Sequence, residues 1–129
     1  MKLYLIYIIS FITSFLYAQT NSQCWPIFRG DNQFQGTSPS TIPENFNLSW
    51  IYKSKENIKS SPVICNGKVY IATMKGSIIS LDEKGKEIWK IKKEASFEAP
   101  PLYLDQNIYI GSLEGIFYAL DAATGTEKW

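Results

Sequence analysis

The sequence has no histidine, and only two cysteines and two methionines among its 129 residues. Without an imidazole, these residues cannot assemble Ser-His-Asp or Cys-His catalysis, an HExxH zinc site or a histidine pH switch. An excess of either charge sign is also lacking. Thirteen Lys and Arg stand against twelve Asp and Glu, a net charge of +1, so no footprint for nucleic acid or an anionic membrane surface is present. There is no CxxC, no GxxxxGK phosphate loop and no DxDxDG calcium loop, which removes the commonest short motifs of redox, nucleotide and calcium chemistry. The longest mostly apolar stretch, Leu3 to Ala18, is 16 residues, short of the ~20 a membrane-crossing helix needs.

What is present begins with that stretch. Lys2 precedes it, small Ala18 ends it, and polar Gln19-Thr20-Asn21 follows. This is the order of a secretory signal peptide, residues 1–18, with cleavage expected after Ala18 and an uncleaved anchor as the rival reading. Cleavage removes one charge, Lys2, and leaves a balanced chain with no stable membrane span. Cys24 follows Asn21-Ser22-Gln23 rather than a short apolar approach, so lipid attachment is not expected there. Export would bring Cys24 and Cys65 into an oxidising compartment, where a pair can persist as a disulfide. The plainer reading of Cys65 is a small buried hydrophobe, because it occupies the place that Leu104 takes in the next repeat.

The most informative spacing is that of Trp50, Trp89 and Trp129, which lie 39 and 40 residues apart. A period near 40 marks a repeat array. At an offset of 39, Pro62, Tyr70, Ile71, Gly76, Leu81 and Asp82 meet Pro101, Tyr109, Ile110, Gly115, Leu120 and Asp121. After one inserted residue, Gly85, Glu87 and Trp89 meet Gly125, Glu127 and Trp129. The segments between are short and rich in Val, Ile, Tyr and Phe, which reads as strands. The spacing predicts strands near Ser61–Cys65, Lys68–Thr73, Ser77–Leu81 and Gly115–Leu120, with a fourth strand in each repeat carrying the tryptophan. Asn66-Gly67 suits the two positive φ angles of a tight hairpin. Gly76 and Gly115 stand where a longer loop needs a left-handed residue. Asp82 and Asp121 close the third strand ahead of Gly85 and Gly125, where a carboxylate can accept N–H groups of its own loop.

Runs such as Val69-Tyr70-Ile71-Ala72 are apolar on both faces, so each sheet must be covered on two sides. The architecture that meets this need is all-β: a β-propeller of four-stranded antiparallel blades, each packed between two neighbours. About two blades plus one strand are expected here, a partial ring.

These residues carry a family resemblance. Gly115 to Trp129, reading GIFYALDAATGTEKW, and Gly76 to Trp89, with Leu81-Asp82 and Gly85-Lys86-Glu87-Ile88-Trp89, resemble the repeat of the pyrroloquinoline-quinone-like (PQQ-like) β-propeller proteins. Trp25-Pro26-Ile27-Phe28-Arg29-Gly30-Asp31 is similar to the W-P-x-F-R-G segment that precedes the first blade in bacterial members. After the signal peptide at 1–18, the resemblance implies an N-terminal lead-in segment at 19–47 and propeller repeats over 48–129. It also implies that Trp50, Trp89 and Trp129 dock on neighbouring blades. The strand around Leu48 to Lys53 would be the last strand of a blade completed from the far C-terminus. Two blades cannot close a ring of 4 to 8, so the remaining blades of a longer chain are expected as partners.

Two readings of function follow from the resemblance. The first is an exported, non-catalytic propeller that binds or scaffolds protein partners in the cell envelope, with no cofactor in this stretch. The second is a PQQ-dependent alcohol or sugar dehydrogenase, with the quinone and a calcium or lanthanide ion held elsewhere in the ring. Other motifs have plainer explanations. Arg29-Gly30-Asp31 spells an adhesion tripeptide but sits in the lead-in turn, and Asn47-Leu48-Ser49 is a glycosylation sequon of the kind that arises by chance. Asp82 and Asp121 occupy the same loop of successive repeats and read as turn closures rather than an acid/base pair. Lys84 to Lys93 interleaves with Ile88, Trp89 and Ile91 and reads as a strand with one solvated face.

Overall fold

The structure, a computed structural model, describes residues 24–38, 40–41 and 43–129. The leader reading for residues 1–18 lies outside them. Among the described residues seven strands run in chain order: β1 Val63–Cys65, β2 Lys68–Ala72, β3 Ser77–Leu81, β4 Glu87–Lys92, β5 Leu102–Leu104, β6 Asn107–Gly111 and β7 Phe117–Asp121. They form two antiparallel meanders, a four-stranded sheet β1-β2-β3-β4 and a three-stranded sheet β5-β6-β7. Among the described residues there is no helix, and hence none long and apolar enough to cross a membrane.

Local chemistry explains the meanders. Asn66 and Gly67 take φ of 50° and 69°, so the turn twists with the flanking strands and sets Val63 opposite Tyr70 and Cys65 opposite Lys68. In the second repeat the same turn is made by Asp105 and Gln106, at φ 47° and 61°. Gly76 and Gly115 hold the next turn at φ 85° and 82°, where a side chain is strained. Their surroundings differ. A Cβ on Gly76 would lie 2.1 Å from the Lys93 carbonyl oxygen, whereas one on Gly115 would meet nothing within 4 Å.

The main core lies between the two sheets. Val63, Tyr70, Ala72 and Ile78 of the first sheet pack with Ile108, Ile110, Tyr118 and Leu120 of the second, and Phe97 of the connection between them is fully buried. The other face of the first sheet, with Ile71, Ile79 and Leu81, is covered by Trp50 and Tyr52. All five residues of β3 are buried, as the two-sided apolar pattern requires.

Three expectations are corrected. Residues 48–53 form no strand, because none of the described segments pairs with their backbone; Trp50 and Tyr52 cover the sheet by side chains instead. The fourth strand of the second repeat is reduced to a bridge between Leu120 and Glu127. It is extended by Lys128 N–H to the Ala119 carbonyl at 2.8 Å and Ala119 N–H to the Trp129 carbonyl at 2.9 Å. The third concerns Cys65, which is fully buried and also bonded: it forms a disulfide with Cys24, 41 positions earlier. The burial departs from the Leu104 analogy, since Leu104 is 51% exposed; the lead-in segment brings a second cysteine to the strand edge, which the repeat alignment does not contain.

Candidate functional site: the interface between repeats

Trp50 and Trp89 each reach from their own position to the β3–β4-type loop of the following repeat. The Trp50 indole N–H donates to the Glu83 carbonyl at 2.8 Å, and the Trp89 indole N–H donates to the Ala122 carbonyl at 3.1 Å. Glu83 and Ala122 are equivalent positions, both 33 residues beyond their tryptophan. The rings lie on the loop glycines: a Cβ on Gly85 would stand 2.5 Å from Trp50 Cδ2, and one on Gly125 would stand 2.8 Å from Trp89 Cδ2. An indole needs one acceptor and a flat apolar surface to bury its area. The loop supplies a free carbonyl and a bare backbone.

The aspartates build that loop. Asp82 Oδ1 accepts the Lys84 and Lys86 N–H groups at 2.9 and 2.8 Å. Asp121 Oδ1 accepts Ala123 and Thr124 N–H, both at 3.0 Å, and the Thr124 hydroxyl at 3.0 Å. The Lys86 N–H holds the Asp82 carboxyl below its usual range, and the Thr124 N–H does the same for Asp121. Both carboxylates are thus engaged by their own loops.

Between the blades Tyr70 adds a second tie. Its hydroxyl donates to the Ala122 carbonyl at 3.2 Å, the acceptor Trp89 also uses, and its ring lies 6.1 Å from that of Trp89 and 5.8 Å from that of Tyr103. Burial pushes the Tyr70 phenol up to about 12. The sequence shows no sign of this acceptor, because a main-chain carbonyl has no residue signature.

In the second sheet the equivalent surface is open. Tyr109, Phe117 and Trp129 form a cluster with ring centroids 5.9 to 6.3 Å apart, and Phe117 and Trp129 are 53% and 62% exposed. Ile78, the counterpart of Phe117, is fully buried against the second sheet. Trp129 therefore presents the docking surface without the loop that its two counterparts have found. Gly76, Gly115, Asp82, Gly85 and Gly125 lie in loops and Asp121 ends β7, and none converges with another on a reactive centre.

The lead-in turn is also built from local bonds. Asp31 Oδ1 accepts Gln33 N–H at 2.8 Å and Gln35 N–H at 3.3 Å, and a Cβ on Gly30 would meet the Trp25 ring at 2.8 Å. Arg29-Gly30-Asp31 is a turn against a tryptophan.

Antiparallel meanders stacked face to face and tied by a tryptophan on the next loop define blades of a β-propeller. The chain belongs to the PQQ-like β-propeller repeat family: a family model described as outer membrane protein assembly factor BamB matches residues 40–129. BamB from Moraxella catarrhalis is 25% identical with a TM-score of 0.59, the match covering 63% of this chain and 26% of that one. A europium-containing methanol dehydrogenase is 27% identical with a TM-score of 0.59, over 64% of this chain and 18% of that one. Quinohemoprotein alcohol dehydrogenase from Comamonas testosteroni shares the fold, with a TM-score of 0.69 and 22% identity over 82% of this chain and 19% of that one. The chain thus spans about a quarter or less of each of these proteins. No curated protein sequence matches it.

Proposed function

We propose that the chain forms part of a cell-envelope β-propeller that acts as a non-catalytic, protein-binding scaffold. The observation that carries this reading is the match of residues 40–129 to the outer membrane assembly factor model. Two features support it. The residues that recur with the repeat have structural roles: tryptophans lie on the glycines of the next repeat, and aspartates hold the N–H groups of their own loops. The Cys24–Cys65 disulfide suits an exported protein, since such bonds persist in oxidising compartments, and a leader at residues 1–18 would take it there. Partners would be other envelope proteins and the further blades of its own ring.

The similarity to a europium-containing methanol dehydrogenase keeps a second reading, a quinoprotein dehydrogenase. That reading places the quinone and its metal ion elsewhere in the ring. Among the described residues no three His, Cys, Asp or Glu side chains come together to hold a metal ion, and the two cysteines are bonded to each other across 41 positions rather than adjacent in sequence.

One experiment separates the readings. The protein is purified from the envelope fraction of its own host and assayed for quinone absorbance and for dye-linked alcohol oxidation with added PQQ and calcium or lanthanide. Outer membrane protein levels are compared in a deletion strain. Reduced outer membrane protein assembly without turnover supports the scaffold, and quinone-dependent turnover overturns it.

A further inference from the structure

Among the described residues the lead-in segment hydrogen-bonds to the blades at few points. Trp25 exchanges both backbone hydrogen bonds with Ile64 on β1, at 2.6 and 3.0 Å, and the Pro26 carbonyl accepts Tyr103 N–H of β5 at 2.8 Å. β1 and β5 each stand at the end of their sheet, so this strap runs along the outer edge of both and bridges them. The other hydrogen bonds of the segment, among the described residues, are internal to it: Gly36 N–H to the Arg29 carbonyl, the Arg29 guanidinium to the Phe34 carbonyl, and the amides that Asp31 caps. Residues 32–38 are exposed. Three backbone hydrogen bonds and a partly buried Trp25 are a weak hold, which local opening breaks readily. The covalent tie is the Cys24–Cys65 bond.

The blades do not need that bond in the same way. Cys65 is fully buried, whereas Leu104 at the equivalent place of the second repeat, which has no lead-in cysteine bonded to it, is 51% exposed; a neutral thiol at position 65 remains a small apolar side chain whether covered or not. The core between the sheets contains no residue of the lead-in segment.

We propose that the Cys24–Cys65 disulfide is a redox-controlled latch, whose reduction by a dithiol releases the lead-in strap from the edges of β1 and β5 while both sheets stay folded. The proposal is independent of the choice between scaffold and dehydrogenase. Cys24 is partly exposed and Cys65 is not, so a dithiol's thiolate attacks the Cys24 sulfur. The Cys24–Cys65 bond breaks, a mixed disulfide forms at Cys24, and the Cys65 thiolate takes up a proton. The reductant's second thiolate then displaces Cys24, which is protonated in turn. The reductant ends as a disulfide and the protein as two thiols, two electrons and two protons having moved. What is uncovered is main chain: the N–H and C=O of Ile64 and the N–H of Tyr103, the groups through which an extended segment is held.

The test is NMR-detected amide exchange on the full chain, oxidised and after dithiothreitol, with Cys65→Ala as a variant that cannot form the latch. On reduction the amides of Trp25, Ile64 and Tyr103 should exchange about tenfold faster or more, while those of Tyr70, Ile79, Ile108 and Ala119 keep their protection. Cys65→Ala should show the reduced pattern with or without reductant. Unchanged exchange at Ile64 and Tyr103 after reduction overturns the latch, since the strap then stays without it. Loss of protection in every strand together overturns it too, as does a disulfide that dithiothreitol cannot reduce in the folded protein.

Discussion

Trp89 lies on Gly125, its Cδ2 standing 2.8 Å from where a Cβ of residue 125 would be, as Trp50 lies on Gly85 one repeat earlier. The indole of one repeat is thus seated on the bare backbone of the next, and the glycine is required twice: for a φ of 75° and for the room.

That double requirement separates two glycines of equal φ class. Gly115→Ala meets open space and should cost only the left-handed backbone penalty, about 1–2 kcal/mol. Gly125→Ala pays the same penalty and also displaces the Trp89 ring, for a total of about 2–4 kcal/mol. Urea unfolding midpoints of the two variants decide the matter. Equal losses would mean that the ring contact contributes nothing.

Ser80 offers a stabilising change. It is fully buried on β3 opposite Tyr70, whose phenol its hydroxyl faces without a well-formed hydrogen bond, while the second repeat has Ala119 there, 1% exposed. Ser80→Ala should raise stability by about 1 kcal/mol, because an unpaired buried hydroxyl keeps its desolvation cost. Ser60→Ala is the control. The Ser60 hydroxyl donates to the Ala72 carbonyl at 2.9 Å, and its loss should lower stability by a similar amount.

The turn at Asp105 and Gln106 holds two non-glycine residues at φ 47° and 61°, where the first repeat uses Asn66-Gly67. Gln106→Gly should raise the thermal midpoint, with a gain of about 0.5–1 kcal/mol once the added freedom of the unfolded chain is subtracted from the relieved strain. An unchanged midpoint would show that the turn carries no such strain.

Acid stability should depend on Glu56. The Thr73 hydroxyl, aided by Ser77 and Lys92, lowers its carboxyl from 4.5 to about 2. The folded state therefore binds this proton less tightly than the unfolded chain. The stabilisation is fully present above the unfolded value near 4.5 and is lost as pH falls towards about 2. Glu56→Gln should flatten the fall of stability over that window, leaving the part due to Asp82, Asp121 and Glu114, whose carboxyls are also lowered by backbone N–H groups. Chemical denaturation at a series of pH values tests this, and an unaltered slope in the variant would contradict it.

Much of the fold was legible in the residues. The period of 39 to 40 between tryptophans, the Asn66-Gly67 turn and the short β-branched runs located β1, β2, β3 and β7 to within a residue or two, because turn type and strand alternation are local properties. Two-sided apolar strands required stacked sheets, since a wet face cannot be made of isoleucine and tyrosine alone. The tertiary structure decided the rest. Whether residues 48–53 form a strand depends on a neighbour to pair with, and the described segments supply none. That Trp89 and Tyr70 share the Ala122 carbonyl follows from the packing of one sheet on the next, and a main-chain acceptor leaves no mark in a sequence. The Cys24–Cys65 bond needs the lead-in segment to run along β1, a long-range approach that spacing alone does not encode.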